Sequence, residues 1–103
     1  MERLDIPFTN GNKLVVIHDD GTYAVRLLWR VNSRPTFATR RVPITEVELR
    51  YLLEADYAHV DLDELRLVAD GRVLTLYFRL VFFHVEHGVW KPMLKEWLEA
   101  PRA

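Results

Sequence analysis

The sequence predicts a single α+β domain, a mainly antiparallel sheet with two helices lying on it, in the order β-β-β-α-β-β-α. Three patterns carry that expectation. Apolar runs of strand character meet at Asp20-Gly21 and again at Asp70-Gly71, and Asp-Gly between such runs is hairpin chemistry. A helix-start signature at Thr45 falls between the two hairpins. An apolar stripe at helical spacing, Trp90, Met93, Leu94, Trp97 and Leu98, closes the chain. With 103 residues, 50% of them hydrophobic and 28% charged, the chain has the size and composition of one folded domain. No repeat, linker or low-complexity stretch divides residues 1–103.

Taken in order, Lys13 to His18 reads as the first strand and Tyr23 to Asn32 as the second. In the second, Tyr23, Val25, Leu27, Trp29 and Val31 share one face, which belongs to the core, and Arg26 and Arg30 lie on the other. The cluster Asn32-Ser33-Arg34-Pro35 turns the chain, and Thr36 to Val42 runs back as a third strand until Pro43 ends it. Thr45 and Glu48 form a capping box, with Ile44 and Leu49 placed as a hydrophobic staple. The helix they open runs from Glu46 to about Ala55, and its wide apolar surface predicts a helix sandwiched between layers. Leu65 to Asp70 and Arg72 to Phe83 form the second hairpin. The latter strand is apolar on both faces, so it is expected at the centre of the sheet or in an interface. His84 to Gly88 then connect to a closing helix with Pro92 in its first turn, although Phe82 to Met93 also fits a further hairpin.

Composition removes several kinds of chemistry. There is no cysteine, so no disulfide, thiolate ligand or cysteine nucleophile is available. The single serine, Ser33, precedes Arg34-Pro35 instead of occupying a nucleophile elbow, and the four glycines are isolated, with no phosphate-cradling loop. The longest weakly polar stretch, Val73 to Val85, is short for a membrane span and contains Arg79, and Met1-Glu2-Arg3 leads into no signal-peptide apolar region. A soluble, cytoplasmic protein with no membrane partner is the expectation.

Charge is laid out unevenly behind a net of −1. From Thr22 to Thr45 there are five arginines, Arg26, Arg30, Arg34, Arg40 and Arg41, and no carboxylate; from Glu46 to Asp70 there are eight carboxylates against Arg50 and Arg66. If Asn32 pairs with Thr36 across the turn, Arg26, Arg30 and Arg40 share a sheet face, where paired guanidinium donors suit a carboxylate cluster on a partner or a phosphate. A one-residue slip exchanges Arg40 for Arg41. The plain structural reading is a solvated sheet face. Tyr23 and Trp29 point to the opposite face, so a nucleic-acid surface here lacks a stacking platform.

Three clusters contain histidine: His18-Asp19-Asp20, His59 with Asp61 and Asp63, and His84 with Glu86 and His87. Period-two spacing puts His59, Asp61 and Asp63 on one side of an extended segment, the most ligand-like arrangement of the three. All lie in expected turns or connectors and none has a metalloenzyme spacing, so neither metal nor other cofactor is expected. Trp90 and Trp97 read first as core and second as an interface. Phe82 and Phe83, within the run Leu80-Val81-Phe82-Phe83, are covered either inside the monomer or by a second subunit in a homodimer.

Together these features favour a non-enzymatic binding protein, such as a stoichiometric inhibitor or adaptor, with a protein as its partner. A nucleic-acid module centred on the five arginines is the second reading. A small metal-dependent enzyme using His59, Asp61 and Asp63 is the third.

Overall fold

The structure, a computed structural model, describes residues 1–101. Two antiparallel sheets and two helices close on one hydrophobic core, so the α+β class expected from the sequence is the one observed. The first sheet contains β1 (Glu2–Pro7), β2 (Lys13–Asp19), β3 (Thr22–Val31), β4 (Arg34–Phe37) and β5 (Val42–Ile44). Helix α1 (Glu46–Glu54) leads into the second sheet, a meander of β6 (Ala58–Asp61), β7 (Leu65–Ala69), β8 (Val73–Phe78) and β9 (Val81–Glu86). Helix α2 (His87–Glu99) follows β9 directly. No described helix is long and apolar enough to cross a membrane.

Alternation decides what each strand buries. Leu14 and Val16 of β2 and Val25 and Leu27 of β3 face Leu65 and Leu67 of β7 and Leu74 and Leu76 of β8 within one core. Trp29 and Phe78 meet edge to face across the sheets, 5.4 Å between ring centroids. Two strands escape the sequence reading. β1 alternates Leu4 and Ile6 inward and β6 alternates Ala58 and Val60 inward, but each is too short to stand out from its polar neighbours.

The capping box at Thr45 forms as its residues dictate: the Glu48 amide donates to Thr45 Oγ1 at 3.0 Å, and the Thr45 amide to Glu48 Oε1 at 2.9 Å. The helix is nevertheless not sandwiched. Only Leu49 and Leu52 are buried, against β6 and β7, whereas Val47 is 78% exposed. Its wide apolar surface overstates its burial because a single face meets the sheet.

The expected strand from Arg72 to Phe83 is also corrected. The chain reverses at Arg79-Leu80, with Arg79 at φ 54°, and the run becomes the hairpin β8–β9. His84 to Gly88 is therefore no connector; it completes β9 and opens α2. Pro92 lies in the interior of α2, one turn after Gly88, whose carbonyl it cannot serve for want of an N–H.

Trp90 is 0% exposed, with its indole N–H unpartnered among the described residues. Trp90→Phe removes that unsatisfied donor, so it should cost far less than Trp90→Ala, which loses about 3–5 kcal/mol by emptying a core site. Urea unfolding of the two variants measures the difference; equal losses would mean that a phenyl ring fills the Trp90 site no better than a methyl group.

Candidate partner-binding face

The arginine-rich segment is organised by strand β3, which pairs with β2 on one side and with both β4 and β5 on the other. Asn32 and Ser33, with φ of 51° and 64°, make a two-residue turn that places Val31 opposite Arg34. The anticipated pairing of Asn32 with Thr36 does not occur. Arg30 faces Pro35 and Leu28 faces Phe37, where the sequence reading put Ala38 and Arg40.

Between β4 and β5 the register breaks. Continuing from Leu28 opposite Phe37 would set Val25 opposite Arg40, yet Val25 pairs with Val42, so two extra residues are accommodated in the bulge. Thr39 repairs it. Its Oγ1 accepts from the Leu27 amide at 3.2 Å and donates to the Arg40 carbonyl at 2.9 Å, and its own carbonyl accepts from Arg26 Nε at 3.1 Å. Ala38 keeps the neighbouring backbone bond, donating to the Leu27 carbonyl at 2.8 Å.

These contacts separate the five arginines. Arg26 is laid flat over Phe37, its guanidinium carbon 3.7 Å from the ring centroid. Arg30 extends along the same outer face and crosses Gly11, where an added Cβ would sit 3.2 Å from Arg30 Cδ. Gly11 is needed there twice over, since its φ is +76°. Buried Asn12 anchors the Arg30 backbone, its Oδ1 accepting from the Arg30 amide at 2.8 Å. Arg40 leaves the sheet and, with Arg26 and Thr39, lines an open surface hollow of about 600 Å³ whose lining also includes Asp63 and Glu64 of the β6–β7 turn. Arg41 is diverted to Asp19, 3.3 Å away. Arg34 lies across the ladder from Val31, on the other face of the hairpin from Arg30. Among the described residues none of Arg26, Arg30, Arg34 and Arg40 pairs with a carboxylate.

Lys13 opposite Leu28 adds a further cation to the outer face, and Asp5 opposite Val15 adds an anion already held by Arg3 through two 2.9 Å bonds. Val15 points away from the main core yet is fully buried; it is flanked across the ladder by Asp5 and Arg26, whose stem helps to cover it. Phe37, Thr39 and Asn12 carry no site signal in the sequence. Phe37 was hidden by the wrong register, and nothing local marks Thr39 or Asn12 as buried.

The other singled-out residues are dispersed. Trp90 is a core residue, which removes it from any interface, and Trp97 is half buried with its ring 5.9 Å from Tyr23. Phe83 is half buried and Phe82 is 63% exposed. His18 sits 3.5 Å from Glu2 and against Tyr23, and the His87 ring approaches the Arg72 carbonyl at 3.3 Å. His59 and Arg66 both bond Asp61, at 3.1 and 2.8 Å, and Asp63 belongs instead to the lining of the arginine hollow. Among the described residues no three histidine, aspartate or glutamate side chains converge as a metal site would require.

Three carboxyls titrate below the ordinary range. The Arg66 hydrogen bond is the main cause for Asp61, the Arg3 hydrogen bond for Asp5, and the amides of Val73 and Arg72, which cap the turn, for Asp70. Compared with known proteins, the chain matches no family model, no curated protein and no solved structure at a significant level.

Thr39→Val leaves the buried Leu27 amide without its acceptor and should cost about 1–3 kcal/mol, while Thr39→Ser retains the hydroxyl and most of the stability. Chemical denaturation of both variants tests this, and an unperturbed Thr39→Val would show that the bulge needs no side-chain bond. Because Asp5, Asp61 and Asp70 are depressed in the folded state, their stabilisation is complete above the unfolded carboxyl pKa of about 3.9 and fades as pH falls through the lower folded values. Melting temperature against pH should thus fall on the acid side, and Asp61→Asn with Asp70→Asn should flatten that limb.

Proposed function

We propose that this chain is a non-enzymatic binding protein, a stoichiometric inhibitor or adaptor, that docks a partner protein on the outer face of its first sheet. The supporting observation is the open hollow lined by Arg26 and Arg40 together with Asp63 and Glu64. A surface of both signs complements another mixed surface, such as a protein patch carrying carboxylates beside a cation. Phosphate backbones fit it less well, because a strand of phosphates following the arginines would pass the two carboxylates. Arg26 is already positioned by Phe37 and the Thr39 carbonyl, so less side-chain freedom is lost on binding.

The chemistry of the remaining groups points the same way. Ser33 occupies a hairpin turn, and His18 and His59 each sit beside a carboxylate. None of these is arranged as a nucleophile with its base.

Lys13, Arg26 and Arg30 on one face favour nucleic acid as the second reading. One experiment separates the two. Tagged wild-type chain and an Arg30→Ala/Arg40→Ala variant are used to capture partners from lysate of the source organism, each with and without nuclease. Arg26 is left intact because its stem covers Val15. The expected result is a protein retained after nuclease by the wild type and depleted about tenfold or more by the variant, as for loss of interface arginines. Recovery that disappears with nuclease assigns the face to nucleic acid. Equal recovery by both forms removes this face from the binding function.

A further inference from the structure

We propose that the hollow between α1 and α2 binds a small apolar organic acid, with its acidic head held by Lys91 and Lys95 and its body lying against Leu53 and Pro92. The hollow measures about 450 Å³ and is bounded by Leu53 of α1 and by Gly88, Lys91, Pro92 and Lys95 of α2. A volume of that size falls within the range of small-molecule sites, about 300–1,000 Å³.

The sequence of α2 explains why space is left there. Residues four apart lie on one side of a helix. His87, Lys91, Lys95 and Glu99 form one such row of long side chains, and Gly88 and Pro92 form the row beside it. That second row carries no long side chain to fill the gap against α1, and a Cβ added to Gly88 would meet nothing within 4 Å. Half-buried Leu53, the Pro92 ring and the aliphatic stems of the lysines make the lining mainly apolar.

Charge selects the occupant. Among the described residues neither Lys91 nor Lys95 pairs with a carboxylate. Like charges at this spacing repel, and an anion held by both relieves the repulsion. The Lys91 ammonium is already positioned, 5.6 Å from the centroid of the buried Trp90 ring. Glu99 follows Lys95 by one turn, the order in which a helical ion pair is weaker. Arg50 instead takes up the acidic side chains of the hollow: it bonds Glu46 at 3.0 Å and is drawn by both Glu54 and Glu99. The two lysines are thus the cations left over. Glu54 and Glu99 still repel a second acidic group, so a single-headed acid fits better than a polyanion.

The test uses the whole chain and two fluorescent probes that share an apolar body: anilinonaphthalene sulfonate, which carries an acidic head, and phenylnaphthylamine, which carries none. Titration of the wild type should give one site per chain for the sulfonate, with the neutral probe bound at least about tenfold more weakly. Lys91→Ala/Lys95→Ala should weaken the sulfonate about tenfold and leave the neutral probe unchanged. Gly88→Leu puts a side chain into the hollow at a helix position that leucine favours over glycine. It should abolish binding of both probes without lowering the melting temperature. Phe82→Ser should bind both as the wild type does, because the exposed aromatics of the second sheet are not the site. The proposal is overturned by a wild type with no saturable site, by full binding in the double lysine variant or in Gly88→Leu, or by loss of binding in Phe82→Ser. Arg30→Ala/Arg40→Ala should bind the probes normally, which keeps this result separate from that of the arginine face.

Discussion

The architecture of the first sheet depends on one requirement placed on β3, that its free side be paired by a returning chain which runs out of register halfway. Val25 and Leu28 are both matched, but to segments two residues out of step. A gap of that kind in a buried ladder leaves an amide with nothing to donate to, a cost comparable to the net worth of a whole hydrogen bond or more. Thr39 supplies the missing acceptor to Leu27 from its side chain. With that amide satisfied, Val42 and Ile44 can reach the core and Ile44 can deliver the chain to the cap of α1.

The same bulge shapes the chemistry of the surface. Without it Arg40 would continue the strand; with it, Arg40 leaves the ladder and lines the same open hollow as Asp63 and Glu64. Phe37, carried to the outer face by the tight turn at Asn32-Ser33, becomes the plate on which Arg26 rests. Arg41 is compensated by Asp19, so the segment's five positive charges do not act as one field. Exposed ion pairs of this sort contribute little to stability, which leaves such side chains available for recognition at small cost to the fold.

The two sheets differ in how their outer faces are finished. On the first, long side chains lie over Val15 and Ile17, and both residues are buried without any covering helix. On the second, Tyr77 and Phe82 remain open to water, with the His59, Asp61 and Arg66 cluster beside them. Both helices are spent elsewhere, α1 on β6 and β7 and α2 on β1, β8 and β9. A small chain with two helices and two sheets cannot cover every face, and here the uncovered one is aromatic.

By itself the sequence determined what is local. The capping box of Thr45 and Glu48, the Asp20-Gly21 turn, the inward face of β3 and the α+β class follow from contacts a few residues apart, whose energies do not depend on the rest of the fold. Only the tertiary structure decided the register of β4, the break of Arg72 to Phe83 into two strands, the exposure of α1 and the separation of the five arginines. Each turns on competition between alternatives that look equal in sequence: an Asn-Ser pair accepting positive φ, an arginine doing so at position 79, or a threonine hydroxyl standing in for a backbone partner. Shifting a strand by a residue or two changes no local propensity, but it changes which side chains reach the core, and burial of those side chains sets the outcome.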